Sequence, residues 1–325
     1  MKSCKVSIIV PVFNGSFLIS RCLDSIFTQI GNFKIEVIVI DDGSTDNTLK
    51  ILENYKKPIT ILKQVNNGPA AARNEGIKIS TGKYLTFLDA DDYWQPAFLK
   101  ETISFLDDNN DAISVSVGQA HKFYAKTEKI LPNFLNEENS NFKEPVVLND
   151  FYAFWANHNH VCTGSVLLRT DIVKQTGGQR SDLRITEDLE FWAYLATFGK
   201  WGFIPKVLFV SDGGKVTREI GWFKKNQKRW ASAPTVKIWE SRIIKRISNK
   251  LLPSYDIAKG RIAKNLAYSM ILSKRINLSR KTIIKYKHLF PKDKLSLCMS
   301  FFANYKFIFI FFSKIMFVRE RYRKL

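Results

Sequence analysis

Cysteine is scarce and scattered in this 325-residue chain: Cys4, Cys22, Cys162 and Cys298 form no CxxC pair, which excludes a zinc knuckle and a disulfide scaffold and suits a reducing compartment. Histidine is equally rare, with four residues, two of them in the Asn-His-Asn-His stretch at 157–160. No uninterrupted apolar run approaches the ~20 residues of a membrane-crossing helix. Glycine and proline show no collagen-like period, and no internal repeat points to a solenoid. Acidic residues are sparse only in the last third. Residues 1–214 hold 22 basic and 25 acidic side chains, net −3, whereas residues 215–325 hold 28 basic and only 5 acidic, net +23.

What is present is a globular composition, 45% hydrophobic, long enough for one large domain or two unequal ones. Residues 5–13 (KVSIIVPVF) are a continuous apolar, β-branched run, the pattern of a strand covered on both faces rather than of a cleaved leader. Leu18, Cys22, Ile26 and Ile30 then recur every four positions and predict a helix, and 35–40 (IEVIVI) predicts a second buried strand. A short strand at 60–62, a helix over 70–79 and a strand at 84–88 continue the alternation, with a further helix from about Pro96 and another from Glu187. Strand and helix in turn predict an α/β fold with a mostly parallel sheet, whose ligands bind at the carboxyl ends of the strands. Residues 109–160 read as loops and short strands. The basic last third reads as helical, with Pro253 and Pro291 as breaks.

Two acidic segments close predicted strands. Asp89-Ala90-Asp91-Asp92 follows KYLTFL, and in extended backbone Asp89 and Asp91 point to one side. Paired carboxylates suit a hard cation such as Mg²⁺, which completes its shell with water and phosphate oxygens, so the segment reads as a metal–diphosphate site. Asp41-Asp42 ends the second strand, and successive βα turns of such a sheet gather along one edge. In both places a simple turn that caps the next helix is the competing reading. For Glu187-Asp188 at a helix start, capping is the ordinary explanation of an isolated pair.

KVSIIVPVFNG, VIVIDDGSTDNT, NNGPAAARNEGI, GKYLTFLDADD and TEDLEFWAYLATFG, in this order and spacing, resemble the family 2 glycosyltransferases of GT-A fold. The resemblance covers about residues 5–210. It implies a GT-A (Rossmann-like) catalytic domain over 1–214, with a nucleotide-sugar half to about residue 110 and an acceptor half over about 111–214, followed by the basic helical extension 215–325. It further implies transfer of a sugar from a nucleoside diphosphate, a UDP-sugar by preference, to an acceptor hydroxyl with inversion, supported by Mg²⁺ or Mn²⁺. By position, Pro11 and Phe13 line the nucleoside pocket, Asp42 with Asp41 beside it bonds the base or ribose, and Gly68 and Arg73 border the nucleotide. An equally open reading makes Arg73 a structural cation paired with the DDGS turn. Asp91 and Asp89 are the implied metal acids, with Asp92 behind them. Asp188 is the implied general base and Glu187 its alternate.

Relatives often carry a His after the strand that follows the ED helix; this chain reads LFVSDGGKVTRE there, where Lys215 or Arg218 could serve as the phosphate cation. His158 and His160 suit an acceptor-pocket or surface role. Gln227, Arg229 and Trp230 match a QxxRW segment that lines the acceptor site of processive synthases, with Trp222 nearby; an amphipathic helix anchored by aromatics is the competing reading. Residues 295–318, interrupted by Asn304, Lys306 and Lys314, suit a helix lying on an anionic membrane surface or packed against the body. The resulting expectation is a cytoplasmic enzyme, peripheral on the inner face of the cell membrane, acting on a lipid-linked or oligosaccharide acceptor in surface polysaccharide assembly. A polyprenyl-phosphate sugar transferase or a processive synthase of the same fold is an alternative. A nucleic-acid-binding protein, the reading that pI ≈ 9.7 invites, lacks any reading motif, so no nucleic acid partner is expected.

Overall fold

The computed structural model describes residues 4–123, 127–131, 142–157, 161–212 and 222–322. Its contacts divide the chain into two compact units. The first comprises 1–151, 158–181 and 187–216; the second comprises 152–157, 182–186 and 217–325.

The first unit is a sheet flanked by helices. The apolar run at the N-terminus forms β1 (Cys4–Val12), whose last seven residues are buried. It is followed by α1 (Ile19–Phe27), β2 (Phe33–Asp41), α2 (Thr48–Glu53), β3 (Thr60–Lys63), α3 (Pro69–Ile79) and β4 (Tyr84–Phe87). These four strands are mutually parallel, in the order β3-β2-β1-β4. α1 buries Cys22 and Ile26 as the four-residue period predicts, but ends before Ile30, which is exposed. The second half of the unit holds β5 (Tyr93–Trp94), α4 (Phe98–Asp108), β6 (Ala112–Phe123), β7 (Thr127–Leu131), β8 (Val146–Val147), β9 (Val166–Arg169), α6 (Thr170–Gln175), α7 (Glu187–Leu195) and β10 (Lys200–Ser211), while α5 (Phe151–Asn157), between β8 and β9 in the chain, falls in the second unit from Tyr152 on. Here the sheet continues β4-β9-β6-β10-β5 with β7 beside β6 and β8 beside β10; among the described residues β6 and β10 pair parallel and the other pairings are antiparallel. The sheet is therefore parallel through its first half and mixed beyond it.

Register decides where the turns fall. Val12 lies opposite Asp41 on β2, and Ile9 lies opposite Phe87 on β4, so the turns carrying Asp41-Asp42 and Asp89 to Asp92 leave one edge of the sheet. α3 presses close to that sheet through Gly76. A Cβ there would stand 2.5 Å from Ile9 Cγ2 and 3.1 Å from Ile40 Cδ1, which accounts for a glycine inside a helix where alanine would otherwise be favoured.

The second unit is helical: α8 (Trp222–Ala231), α9 (Val236–Trp239), α10 (Leu252–Leu272), α11 (Ile276–Tyr286), α12 (Lys294–Phe302) and α13 (Lys306–Arg321). Its centre is α10, which buries Tyr255, Ile262, Leu266, Met270 and Ile271. Pro253 marks a boundary between helices by opening α10, because proline fits the first turn, where no intrahelical N–H donor is needed. Tyr152 of α5 belongs to this unit and packs edge-on against Tyr255 at 5.3 Å. Among the described residues no helix is long and apolar enough to cross a membrane.

Candidate active site

The β1 edge supplies Pro11, buried in the strand, and Phe13, whose ring is 45% exposed just beyond it. The loop after Phe13 is zipped to the loop after β2: Asn14 N donates to Ser44 Oγ (2.9 Å), Thr45 N to Asn14 Oδ1 (2.8 Å), and Gly15 N to Thr48 Oγ1 (2.9 Å). Asn14 takes φ +53°, which asparagine tolerates better than most residues. The result is an exposed aromatic face held on a braced turn.

Asp42 is buried, and its carboxylate accepts three bonds from the β3–α3 loop: Gln64 Nε2 (2.6 Å), Asn67 N (2.8 Å) and Gly68 N (2.9 Å). Gly68, at φ +89°, makes the left-handed bend that aims its N–H at Asp42 before Pro69 opens α3. Buried Asp41 accepts from Ser44 N (3.2 Å). Three of the roughly four lone-pair positions on Asp42 are thus taken by its own chain, so its main effect is to shape the loop beside Gly68.

Arg73 reaches from α3 and is buried, donating through Nη2 to Asp89 Oδ1 (2.7 Å) and through Nη1 to Gln179 Oε1 (3.2 Å). Its ion pair is made with Asp89, not with the DDGS turn. Burial works against the guanidinium charge, but Asp89, Glu187 and Asp188 more than offset it and raise its pKa. One buried cation therefore answers to both Asp89 and the Glu187-Asp188 pair. The arrangement satisfies the rule that a buried charge must be paired.

Asp89 keeps about a third of its side chain open, 34%. Asp91 is pushed up to about 6 by burial and then by the charge of Asp89, with Asp212 acting in the same sense and Arg21 against it. Asp92 is more deeply buried; burial, then Asp91 and Asp89, raise it well above the usual carboxylate range, and its Oδ1 accepts from Asp212 N (3.0 Å). Crowded carboxylates with raised pKa values are what a cation site looks like before the cation binds. Among the described residues no three His, Cys, Asp or Glu side chains are grouped to hold a metal by themselves. Asp91 and Asp89 are the two carboxylates here that could hold a divalent cation together with a ligand's phosphates.

Glu187 and Asp188 open α7, directly after Thr186, a β-branched residue held at φ +60°. Burial raises the Asp188 pKa, and the charge of Asp89 acts in the same sense; the Leu189 backbone N–H and Arg73 oppose the shift. Glu187 is 6% exposed.

Arg21 and Asp212 were missed by sequence reasoning. Arg21, on α1, forms an ion pair with Asp212 Oδ2, donates to the Asp91 carbonyl (2.7 Å), and lies 4.7 Å from the Tyr93 ring centroid. It ties the DADD turn to the end of β10. The available signal was Asp212 itself, an acid closing the apolar strand KVLFVS just as Asp41 and Asp89 follow theirs. Gln227, Arg229 and Trp230 lie in the second unit, on α8, where Gln227 Nε2 donates to the Leu272 carbonyl (3.4 Å) and Trp230 packs on Phe223 (5.5 Å). His158, His160, Lys215 and Arg218 lie outside the described residues, as does the side chain of Trp222.

A model of the glycosyl transferase family 2 matches residues 7–174, more than half of the chain. The chain belongs to this family. A poly(ribitol-phosphate) beta-glucosyltransferase of Bacillus spizizenii is 42% identical over 117 residues, 34% of this transferase and only 18% of that relative. Solved structures of two further proteins cover nearly the whole chain. Staphylococcus aureus TarS 1–349 with UDP-GlcNAc superposes with TM-score 0.67 and 20% identity over 98% of this chain and 91% of that one. The Pyrobaculum calidifontis mannosyltransferase PcManGT with GDP-Man and Mn²⁺ gives 0.58 and 16% over 100% and 89%. The transferase thus has the GT-A type of α/β fold, with a helical C-terminal region.

Proposed function

We propose that this enzyme moves a sugar from a UDP-sugar to a hydroxyl group of a surface-polymer acceptor, with inversion at the anomeric carbon. The observation that carries the proposal is the buried Arg73, which pairs with Asp89 and whose positive charge Glu187 and Asp188 also favour, so that the proposed metal acids and base act on one cation. The TarS complex with UDP-GlcNAc supports the choice of donor, and the poly(ribitol-phosphate) relative supports a polyol-phosphate or glycan acceptor.

Phe13 offers a face for the base, with Pro11 and the Asp41-Asp42 turn as the neighbouring wall and Gly68 and Arg73 as the border toward the phosphates. Asp188, alternatively Glu187, removes the acceptor hydroxyl proton while that oxygen forms its bond to the anomeric carbon. The bond from that carbon to the diphosphate breaks, and its electron pair leaves with the nucleoside diphosphate. A divalent cation on Asp91 and Asp89 would supply charge neutralisation for that leaving group. A raised pKa suits Asp188 to the task, because a stronger base takes the proton more readily. Gln227, Arg229 and Trp230 remain proposed acceptor contacts, with residues 1–214 as the catalytic portion, working in the cytoplasm.

The test is a panel of nucleotide sugars with Mn²⁺ or Mg²⁺, following nucleoside diphosphate release. Activity with a UDP-sugar that disappears in Asp91→Asn is the expected result; activity indifferent to that change would overturn the cation assignment. If Asp188→Ala retains full turnover, the acceptor is already ionised, as a polyprenyl phosphate is, and needs no base.

A further inference from the structure

The helices α12 and α13 are fastened together by Phe302 stacking on Phe312 (4.8 Å between centroids), and their inner faces bury Met299, Phe309 and Met316. Their outer faces are apolar as well. On α13, Phe307 is 82% exposed and Phe311 66%, and Ile315 and Val318 continue the same stripe at helical spacing. On α12, Leu297 and Phe301 are 64% and 59% exposed, four residues apart. A soluble monomer seldom leaves so many large apolar side chains together in water.

The charges beside this face are of one sign. Lys306, Lys314, Arg319 and Arg321 are all exposed on α13, interleaved with the aromatic residues. The two carboxylates of the region are turned to internal work: Glu320 accepts from Tyr268 Oη (3.0 Å), and Asp293 accepts from Lys264 Nζ (2.6 Å) and caps α12 through Ser296 N.

We propose that the outer face of α12 and α13 docks on an anionic lipid bilayer, lying in the headgroup plane with Phe307 and Phe311 inserted. Lysine set between aromatics argues for lipid over a protein partner. A protein interface that covered Phe307 and Phe311 would also bury Lys306 and Lys314, and interface cores exclude lysine for that reason. At a bilayer the same side chains lay their methylene stems along the apolar layer and bring their ammonium groups to lipid phosphates. Helix length agrees: 16 residues of α13 span about 24 Å, short of the ~30 Å hydrocarbon core. This inference is independent of which sugar is transferred, or whether any is.

Sedimentation of the full-length chain with phosphatidylcholine vesicles, with and without phosphatidylglycerol, tests it. Binding to the phosphatidylglycerol vesicles should be at least about tenfold tighter and should weaken with salt. The pair Phe307→Ser and Phe311→Ser should weaken it a further tenfold or more, and the pair Lys306→Glu and Lys314→Glu should remove the preference for anionic lipid. Both pairs are exposed, so melting temperature and turnover on a soluble acceptor should not change, which separates failure here from failure of the transfer reaction. Unaltered vesicle binding in the phenylalanine pair would overturn the proposal. So would absence of vesicle binding together with a dimer that the pair dissociates, or equal affinity for duplex DNA that only the lysine pair weakens.

Discussion

The two units of this glycosyltransferase use charge in opposite ways. In the sheet unit the decisive charges are withdrawn from water: Arg73 and Asp92 are 4% and 7% exposed, and Asp91 and Asp188 have carboxyl groups raised by burial. In the helical unit the charge is far greater, net +23 over residues 215–325, and among the described residues much of it lies on exposed lysines and arginines. At low effective dielectric a few charges interact strongly and resist screening by salt, whereas exposed ones interact weakly and are screened within about 10 Å at 0.1 M salt. A site for bond cleavage needs the first arrangement, and a surface that meets other charged matter needs only the second. Substitutions in the sheet unit should therefore have large, salt-insensitive effects, and charge changes on the exterior small, salt-sensitive ones.

The largest effect expected is from Asp188→Asn, which removes the proposed base while keeping the shape of the side chain. Turnover should fall about 10²–10⁴-fold, with the KM for the donor little changed. The wild-type pH profile sharpens the point. Asp188 must be ionised to work, and burial raises its pKa, so the acid limb of kcat/KM should fall at a higher pH than an ordinary carboxylate would give. Next in size is Arg73→Met. It removes the cation shared by Asp89, Glu187 and Asp188 and leaves uncompensated buried acids, at a cost of about 3–5 kcal/mol in urea unfolding. Arg73→Lys should recover only part of this, because an ammonium cannot span both Asp89 and Gln179 as the guanidinium fork does.

Those two substitutions also separate what was readable in the sequence from what was not. Asp89 and Asp91 stood out because each follows an apolar strand in an alternating pattern, whereas Asp188, at a helix start where capping is the ordinary reading, was singled out only by the family resemblance. The strands β1, β2 and β4 were legible because continuous β-branched runs have few other readings. The partners of these acids were not. Arg73 meets Gln179 106 positions away and Arg21 meets Asp212 191 positions away, and no local spacing encodes such pairs. β6 was obscured by its polarity. It is a 12-residue strand in which Ser114 and Ser116 are fully buried, so hydrophobic periodicity under-read it. Gly76 gave no signal of its role either, because the close approach of Ile9 exists only once α3 lies on the sheet.

A middle tier of predictions concerns stability. Gly76→Ala should destabilise the sheet unit by about 1–3 kcal/mol, since the new methyl has no room against Ile9. Asp91→Asn should act in the opposite direction on the metal-free protein. Its folded pKa of about 6 lies above the ordinary value of 3.8, so the folded state binds the proton more tightly than the unfolded one does. The wild type should then gain stability as pH falls from about 6 toward 4, and be penalised at pH 7 by up to about 3 kcal/mol. Asp91→Asn should raise the melting temperature at pH 7, flatten that pH dependence, and reduce the stabilisation given by added Mn²⁺. A variant no more stable than wild type at pH 7 would show that the acid turn carries no such penalty.

The smallest effect should come from the exterior of the same sheet unit, which separates burial from location as the cause of the contrast. Lys63 and Glu53 form an ion pair at 2.9 Å, with side chains 56% and 53% exposed. Its partners have the same charges and nearly the same separation as Arg73 and Asp89 at 2.7 Å, but water surrounds them. Lys63→Ala should change unfolding free energy by no more than about 0.2–1 kcal/mol, and that difference should vanish at high salt. The Arg73→Met penalty should persist there. If the two substitutions proved equally sensitive to salt, burial would not be what distinguishes the site, and the strong coupling ascribed to Arg73 would have to come from hydrogen-bond geometry alone.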